Sequence, residues 1–125
     1  MKFQPDSLAG TNAITRHEPG RLWVGGQLHE GSLIVPWQGA CTPWRPTGVM
    51  ALAPSDFDAV LACNPEVVIL GTGLRQHFPK PELLRPLIQR GIGMESMDSA
   101  AAVRTYNVLA SEGRRVVGAF ILDAG

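Results

Sequence analysis

The sequence predicts an α/β fold: a single three-layer domain in which an N-terminal antiparallel β meander packs on or extends a Rossmann-like, mostly parallel sheet flanked by helices. The second half alternates between helix and strand patterns, as in right-handed βαβ crossovers. Glycine and proline divide the first half into short strand patterns. The 125 residues fit one domain of roughly 100–200 residues. We expect it to span residues 13–125, after a flexible lead-in at residues 1–12.

The first half carries the predicted meander. Short strands are expected at residues 13–18, 21–24 and 32–36. The Pro19-Gly20 turn separates the first two strands. Residues 39–47 are expected to form an irregular loop, because proline removes a backbone donor and restricts φ. A further short strand is expected at residues 50–52.

The first predicted helix runs from Ser55 to the Asn64-Pro65 pair. Ser55 suits the N-cap, and Phe57 and Val60 recur at helical spacing. Residues 66–70 follow as a nearly all-apolar run of strand length. Such a run is typical of a strand that is covered on both faces in a parallel sheet.

The second predicted helix begins at Pro81 and ends at Gly91. Proline suits the first turn of a helix, whose N–H groups have no partner within the helix. Pro86 lies further inside and is expected to kink or shorten this helix. A strand at residues 92–95 follows.

The third predicted helix has the clearest pattern in the chain. Asp98 or Ser99 can cap its N-terminus, and Gly113 stands at the C′ position. Its apolar face is formed by Ala102, Val103, Tyr106, Leu109 and Ala110. Residues 115–122 are expected to form the last buried strand.

The charge balance excludes some classes of partner. Eleven Lys and Arg residues balance eleven Asp and Glu residues, which gives a formal net charge of zero. Such a chain has no overall attraction to nucleic acid, so a nucleic-acid partner is not expected. Apolar residues make up 45% of the chain and charged residues 18%, against roughly 25% charged residues in a typical domain. This composition can form a core and favours self-association, so a homo-oligomer is one expected state.

The cysteine and histidine residues predict neither a metal site nor a cofactor. Cys41 and Cys63 lack CxxC spacing, and His17, His29 and His77 are scattered. The chain starts without a signal-peptide core, and no apolar run approaches the roughly 20 residues of a membrane-spanning helix. We therefore expect a cytoplasmic protein without a transmembrane segment.

The candidate ligand site lies at the C-terminal edge of the predicted parallel sheet. Gly71, Thr72 and Gly73 directly follow a buried strand, the position at which open α/β sheets bind ligands. Gln76 stands where a dinucleotide-binding motif needs a glycine, so a structural turn is the competing interpretation. The remaining candidates for this site are Arg75, His77, Asp98, Arg104 and Asn107.

Two of these candidates, Arg104 and Asn107, are three residues apart on the third predicted helix. At this spacing they can act together on a ligand or a partner strand. Asparagine disfavours mid-helix positions, which indicates that its side chain has a partner. In the competing interpretation, Arg104 pairs with Glu95 or Asp98 and Asn107 bonds a neighbouring loop.

The sequence presents no catalytic constellation. It has no GxSxG elbow, and Cys63 has no evident base. We therefore favour a non-catalytic protein, with an enzyme as the alternative. Trp37 and Trp44 lie among prolines in the first half, where exposed aromatic residues mark a protein-binding surface. The competing interpretation is that they fill the core.

Several segments, taken together, resemble a known family. They are residues 68–73 (VILGTG), 90–99 (RGIGMESMDS), 102–109 (AVRTYNVL) and 112–116 (EGRRV), with residues 32–36 (SLIVP) and Trp44 in the first half. They resemble the domain-of-unknown-function family that includes the mitochondrial complex I (NADH dehydrogenase) assembly factor and the adipogenesis-associated Mth-type domain. The resemblance covers most of residues 14–122. It implies a single three-layer α/β domain with no established catalytic residues.

The resemblance also implies a class of function. Mitochondrial members of this family act as assembly factors at the inner membrane. Because the chain starts at the domain without a presequence, we expect a bacterial cytoplasmic member. The first hypothesis is a non-catalytic interaction or assembly protein whose partner belongs to a membrane complex or to insertion machinery. The alternative is a small-molecule-binding protein or enzyme that uses the Gly71–Gly73 edge.

Overall fold

The computed structural model describes residues 10–122 and confirms the predicted α/β class. The strands within these residues are β1 (Ile14–Glu18), β2 (Arg21–Val24), β3 (Gln27–Glu30), β4 (Leu33–Pro36), β5 (Thr42–Pro43), β6 (Val67–Gly71), β7 (Gly93–Met97) and β8 (Val116–Phe120). The α-helices are α1 (Asp58–Leu61), α2 (Arg85–Gln89) and α3 (Ser99–Ser111). Short 3₁₀ segments lie at Val49–Ala51, Pro54–Phe57 and Pro81–Leu84.

The central element is a five-stranded sheet in the order β5-β4-β8-β6-β7. Its β7, β6 and β8 strands are parallel and form the predicted Rossmann-like part, whereas β4 pairs antiparallel with β8 and β5. The β8 residues are all buried, as are four of the five β6 residues. These apolar runs are buried because layers of structure cover both faces of the sheet.

The layers on the two faces follow from the chain path. β7 and β8 lie on opposite sides of β6, so right-handed connections through α2 and then α3 place these helices on opposite faces. α3 and the three-stranded sheet β1-β2-β3 cover one face, whose core contains Tyr106 and Phe120. The helical segments that contain α1 and α2 cover the other face, whose core contains Phe57 and Leu87.

The structure corrects the predicted meander. Its third strand is Gln27–Glu30, which follows a turn at Gly25 and Gly26, and not residues 32–36. Leu33–Pro36 instead pairs with β8 in the central sheet. All four residues of β4 are buried, whereas those of β3 are mostly exposed. The apolar run therefore enters the sheet that is covered on both faces.

Smaller corrections concern local elements. The strand expected at residues 50–52 is a 3₁₀ turn at Val49–Ala51, and the loop at residues 39–47 contains the short strand β5. Pro86 lies in the first turn of α2 and does not kink a longer helix. N–H groups in the first turn of a helix have no partner within the helix, so a proline at this position costs no hydrogen bond. The α-helix can therefore begin at this turn, directly after the 3₁₀ segment.

Only residues 10–12 of the expected flexible lead-in belong to the described part of the chain. Residues 1–9 of the expected lead-in are outside the described residues. Asn12 is held in place, because its backbone N–H donates to the Trp37 carbonyl over 2.8 Å. Its side-chain amide donates to the carbonyls of Pro36 and Gly39 over 2.8 and 2.9 Å. Between residues 10 and 122, no helix is long and apolar enough to cross a membrane.

Candidate functional site

The Gly71–Gly73 segment is held by hydrogen bonds to its neighbours. The Gly71 carbonyl accepts from the Ile121 N–H over 2.8 Å, and the Thr72 N–H donates to the Met97 carbonyl over 2.9 Å. The Gly73 N–H donates to Ser99 Oγ over 3.0 Å, and the Ser99 N–H donates back to the Gly73 carbonyl over 2.8 Å. The Thr72 and Gly73 amides therefore bind the protein itself and are not directed at an anion.

Gly71 is a packing residue. A Cβ atom built on Gly71 would lie 2.9 Å from Phe120 Cδ1, and one built on Gly118 would lie 2.4 Å from Phe120 Cε2. The two glycines thus leave the space that the Phe120 ring occupies. The ring meets Tyr106 edge to face, with 6.4 Å between the centroids, an arrangement that aromatic pairs prefer.

The Thr72 side chain shapes the loop that follows. Its hydroxyl donates to the Arg75 carbonyl over 2.6 Å and accepts from the His77 N–H over 3.2 Å. The side chains of Arg75 and His77 are exposed on this loop. The loop is also joined to β7, because the Gln76 side-chain amide donates to the Ser96 carbonyl over 3.1 Å.

Asp98 caps α3 as the sequence predicts. Its Oδ1 accepts from the Ala101 N–H over 2.9 Å, which satisfies one of the free donors at the helix start. The His17 side chain lies near the same region. Burial lowers the pKa of His17, and the negative charge of Asp98 acts in the opposite direction.

Arg104 and Asn107 have different surroundings. The Arg104 side chain is exposed and forms no ion pair with any residue between 10 and 122. Asn107 binds β1 instead: its Oδ1 accepts from the Ile14 N–H over 2.9 Å, and its Nδ2 donates to the Ile14 carbonyl over 2.8 Å. The side-chain amide of Asn107 therefore pairs with the backbone of Ile14 as a neighbouring strand would. It does so at the point where the register of β1 shifts, between Ile14 and Arg16.

The predicted ligand residues therefore have different surroundings: Thr72 and Gly73 have paired backbone donors, Arg75, His77 and Arg104 are exposed, and Asn107 binds β1. The space between the β1-β2 turn and the Gly73 loop has a volume of about 10 Å³, with Ser99 and Leu122 in its wall. A cavity of this size holds about one water molecule.

The two tryptophans belong to the interior to different degrees. The Trp44 side chain is only 7% exposed, its Nε1 donates to the Asp56 carbonyl over 2.9 Å, and its ring meets Phe57 edge to face. Trp37 is half-buried and packs against both cores. Core filling, the competing interpretation, therefore describes Trp44.

The two most exposed of the large apolar residues described lie elsewhere, on a surface that the sequence interpretation did not identify. Met50 is 93% exposed and Phe78 is 81% exposed. Both line a groove of about 280 Å³, together with Leu83. Phe78 also lines a second groove of about 380 Å³, together with Leu84. We call these four residues the Phe78 surface. A signal was present in the sequence, because Phe78-Pro79 interrupts a polar loop.

Comparison with known proteins identifies the family. The family described as "Protein of unknown function (DUF498/DUF598)" matches residues 14–121. The chain belongs to this family. The predicted resemblance is thereby confirmed for almost all of the described residues.

Relatives with descriptive names include bacterial and vertebrate proteins. The chain is 35% identical over 68 residues to the "13 kDa major membrane protein" of Francisella tularensis, a match that covers 54% of this chain and 55% of that protein. It is 43% identical over 121 residues to the NADH dehydrogenase (ubiquinone) 1 alpha subcomplex assembly factor 3 of Danio rerio, which covers 95% of this chain and 68% of that protein. The chain thus spans about half of the first relative and two thirds of the second.

Solved structures of relatives share the fold. A crystal structure of a Bordetella parapertussis protein is 36% identical, with a TM-score of 0.85, and covers 91% of this chain and 98% of that chain. A solution structure of a Bordetella pertussis protein described as a Mth938-like domain is 29% identical, with a TM-score of 0.78, and covers 100% of this chain and 94% of that chain. The family therefore has bacterial members with this α/β architecture.

Proposed function

We propose that the chain is a non-catalytic protein-interaction domain with an assembly-factor-like role, and that the Phe78 surface contacts its partner. The observation that carries this proposal is the exposure of Met50 and Phe78 on one groove. Exposed apolar patches are typical of interaction sites, because water is released from them when a partner binds. The exposed Lys80 lies beside these side chains and places a charged group at the edge of the patch, as in the polar rim of an interface.

The hydrogen bonding of the Gly71–Gly73 segment favours this proposal over an enzyme or a small-molecule carrier. The backbone donors of Thr72 and Gly73 are already paired within the protein. The thiols also favour a non-catalytic role, because burial raises the pKa of both Cys41 and Cys63. A raised pKa leaves less of the thiolate that acts as a nucleophile.

The partner class is proposed from the relatives. One relative is named as an assembly factor of NADH dehydrogenase, and another is named as a membrane protein. We propose that this chain acts from the cytoplasm on a subunit of a membrane complex or of insertion machinery. A homo-oligomer formed through the same surface is the competing arrangement.

The experiment compares partner recovery by surface variants. The tagged protein is incubated with detergent-solubilised membranes, and the bound proteins are identified by mass spectrometry. The Met50→Ser, Phe78→Ser double variant is expected to lose a membrane-complex subunit that the wild type recovers. Val108→Ser is the matched control, because Val108 is an exposed apolar residue on α3. Equal recovery by the double variant and the wild type would contradict the proposal.

A further inference from the structure

The outer edge of β7 has backbone groups that point away from the sheet. β7 is an edge strand of the central sheet and lies next to β6. The Met97 carbonyl accepts from Thr72, so the backbone groups of Met97 and of alternate residues before it face β6. Those of Met94 and Ser96 face the other way. The bond from the Gln76 side chain to the Ser96 carbonyl is consistent with this direction.

Three of these outward groups have no partner among residues 10–122. They are the N–H and C=O of Met94 and the N–H of Ser96. Unpaired donors and acceptors in this arrangement form a template for another strand. The sheet therefore has an edge to which an extended chain can add.

The groove of about 380 Å³ lies along this edge. Phe78 and Leu84 form an apolar wall, and Met94, Glu95 and Ser96 contribute the β7 side. Met94 packs toward the core that contains Leu87, and side chains alternate along a strand, so Glu95 lies on the opposite face of the sheet. Glu95 is exposed and is the one charged residue among those that line the groove.

We propose that β7 binds an extended segment of a partner protein by strand addition. This inference rests on the proposed function and specifies the partner's chemistry. The backbone of the segment pairs with Met94 and Ser96, and an apolar side chain of the segment contacts Phe78 and Leu84. The adjacent residue faces the carboxylate of Glu95 and is basic. In strand addition, backbone hydrogen bonds typically give affinity and alternate side chains give specificity.

The test uses the intact chain and a phage-displayed library of random short peptides. Peptides are selected on the wild type alone, and the binding of the selected peptides to Ser96→Pro is then measured. Proline removes an N–H that faces the groove and leaves the β6 pairing in place, as edge strands tolerate. Ser96→Ala is the matched control, because it keeps this N–H.

Selected peptides are expected to carry alternating apolar and basic residues. Their dissociation constants should rise at least about tenfold on Ser96→Pro and stay unchanged on Ser96→Ala, since the proline variant loses a backbone hydrogen bond. Amide NMR shifts on binding should centre on Met94 and Ser96. Selection that returns no peptide, or peptides that bind Ser96→Pro equally well, would overturn the inference.

A second variant keeps the test independent of how Ser96→Pro folds. Glu95→Lys preserves the backbone and reverses the charge beside the groove, so peptides selected on it should be acidic at the position that is basic for the wild type. An unchanged preference would refute the assigned orientation and chemistry. A wild-type dimer that Ser96→Pro dissociates and Ser96→Ala keeps would assign the edge to a second copy and would also overturn the inference.

The same variants separate this inference from the proposed function. In the membrane-recovery experiment, a partner that Ser96→Pro retains and that Met50→Ser, Phe78→Ser loses would leave the Phe78 surface as the docking site. Strand addition would then be excluded for that partner. Loss of the partner with both variants is the expected result.

Discussion

Asp56 shows how one carboxylate holds the loop that carries Trp44. Its Oδ1 accepts from Arg45 Nε over 2.7 Å, and its Oδ2 accepts from the Ala53 N–H over 2.8 Å. The hydrogen bond from Arg45 lowers the pKa of Asp56 most strongly, and the bond from Ala53 adds to it. Because the folded pKa is below its unfolded value, the stabilisation is present above the unfolded pKa and is lost as the pH falls through the folded pKa.

Asp56→Ala is expected to lower the free energy of unfolding by about 1–2 kcal/mol near neutral pH, through loss of the bond to the Ala53 N–H. The Arg45 pair contributes less to the free energy of unfolding than its effect on the pKa suggests, because the Arg45 side chain is 61% exposed and solvent screens the pair. Urea unfolding measures the change. Asp58→Ala is the control, because Asp58 is exposed nearby at the start of α1. The difference between wild type and Asp56→Ala should shrink in acid, and a constant difference would contradict the assignment.

Gly71 is expected to tolerate no side chain, although it belongs to a motif that suggested ligand binding. Gly71→Ala places a Cβ atom 2.9 Å from the Phe120 ring and 3.3 Å from Ala102 Cβ. We expect a loss of about 1–3 kcal/mol in urea unfolding, which is typical of an overpacked core. Gly93→Ala is the matched control, since nothing lies within 4 Å of its added Cβ. Similar stabilities for the two variants would show that Gly71 is not a packing residue.

Among the elements, α3 connects the two sheets. Its Tyr106 hydroxyl lies 3.0 Å from the Asn12 carbonyl and 2.9 Å from the Pro36 carbonyl. Burial raises the pKa of this hydroxyl further above neutral pH, so the protonated form that donates these bonds is kept. One turn of this helix therefore ties together the N-terminal segment, the end of β4 and, through Asn107, the first strand.

Asn107→Ala is expected to loosen β1 specifically. The variant leaves the Ile14 N–H and C=O without their side-chain partners, which costs about 1–3 kcal/mol where the groups stay buried. Hydrogen exchange should accelerate at Ile14 and in β2, with little change in β6. Arg104→Ala, which removes an exposed side chain from the same helix, should leave exchange unchanged. Uniform acceleration of exchange across the protein would contradict a stabilising effect of Asn107 that is confined to β1 and its neighbours.

For the whole molecule, pKa shifts of several groups point in one direction. Burial lowers the pKa of His17, hydrogen bonds lower that of Asp56, and the Arg115 N–H and the Arg114 side chain lower that of Glu66. Each group binds protons more weakly in the folded state than in the unfolded state. These three groups therefore contribute stability that is lost on acidification.

The melting temperature is expected to fall as the pH decreases below neutral. The stability that His17 contributes is fully present above its unfolded pKa of 6.5. It is lost as the pH falls through the lower folded pKa, and this loss begins at a higher pH than the loss of the carboxylate contributions. Differential scanning calorimetry across this range measures the effect. His17→Asn should flatten the part of the curve that starts below pH 6.5, and an unaltered curve would exclude the His17 contribution.

The pattern of the second half could be predicted from the sequence because it depends on local chemistry. The Asp98 cap, the apolar face with Tyr106 and the C′ glycine Gly113 specify α3 from residues within the helix or next to it. Apolar runs likewise predicted β6 and β8. The segments that carry the family resemblance lie mostly in these elements.

The α/β class, the order of the helices and strands in the second half, and the family could all be predicted from the sequence. Four features emerge only in the folded chain: residues 33–36 join the central sheet, Gly71 makes space for Phe120, Trp44 is interior and Phe78 is exposed. The physical reason is that periodicity and capping involve neighbours along the chain. Strand pairing and burial depend on which distant elements cover a residue, and no local pattern specifies these.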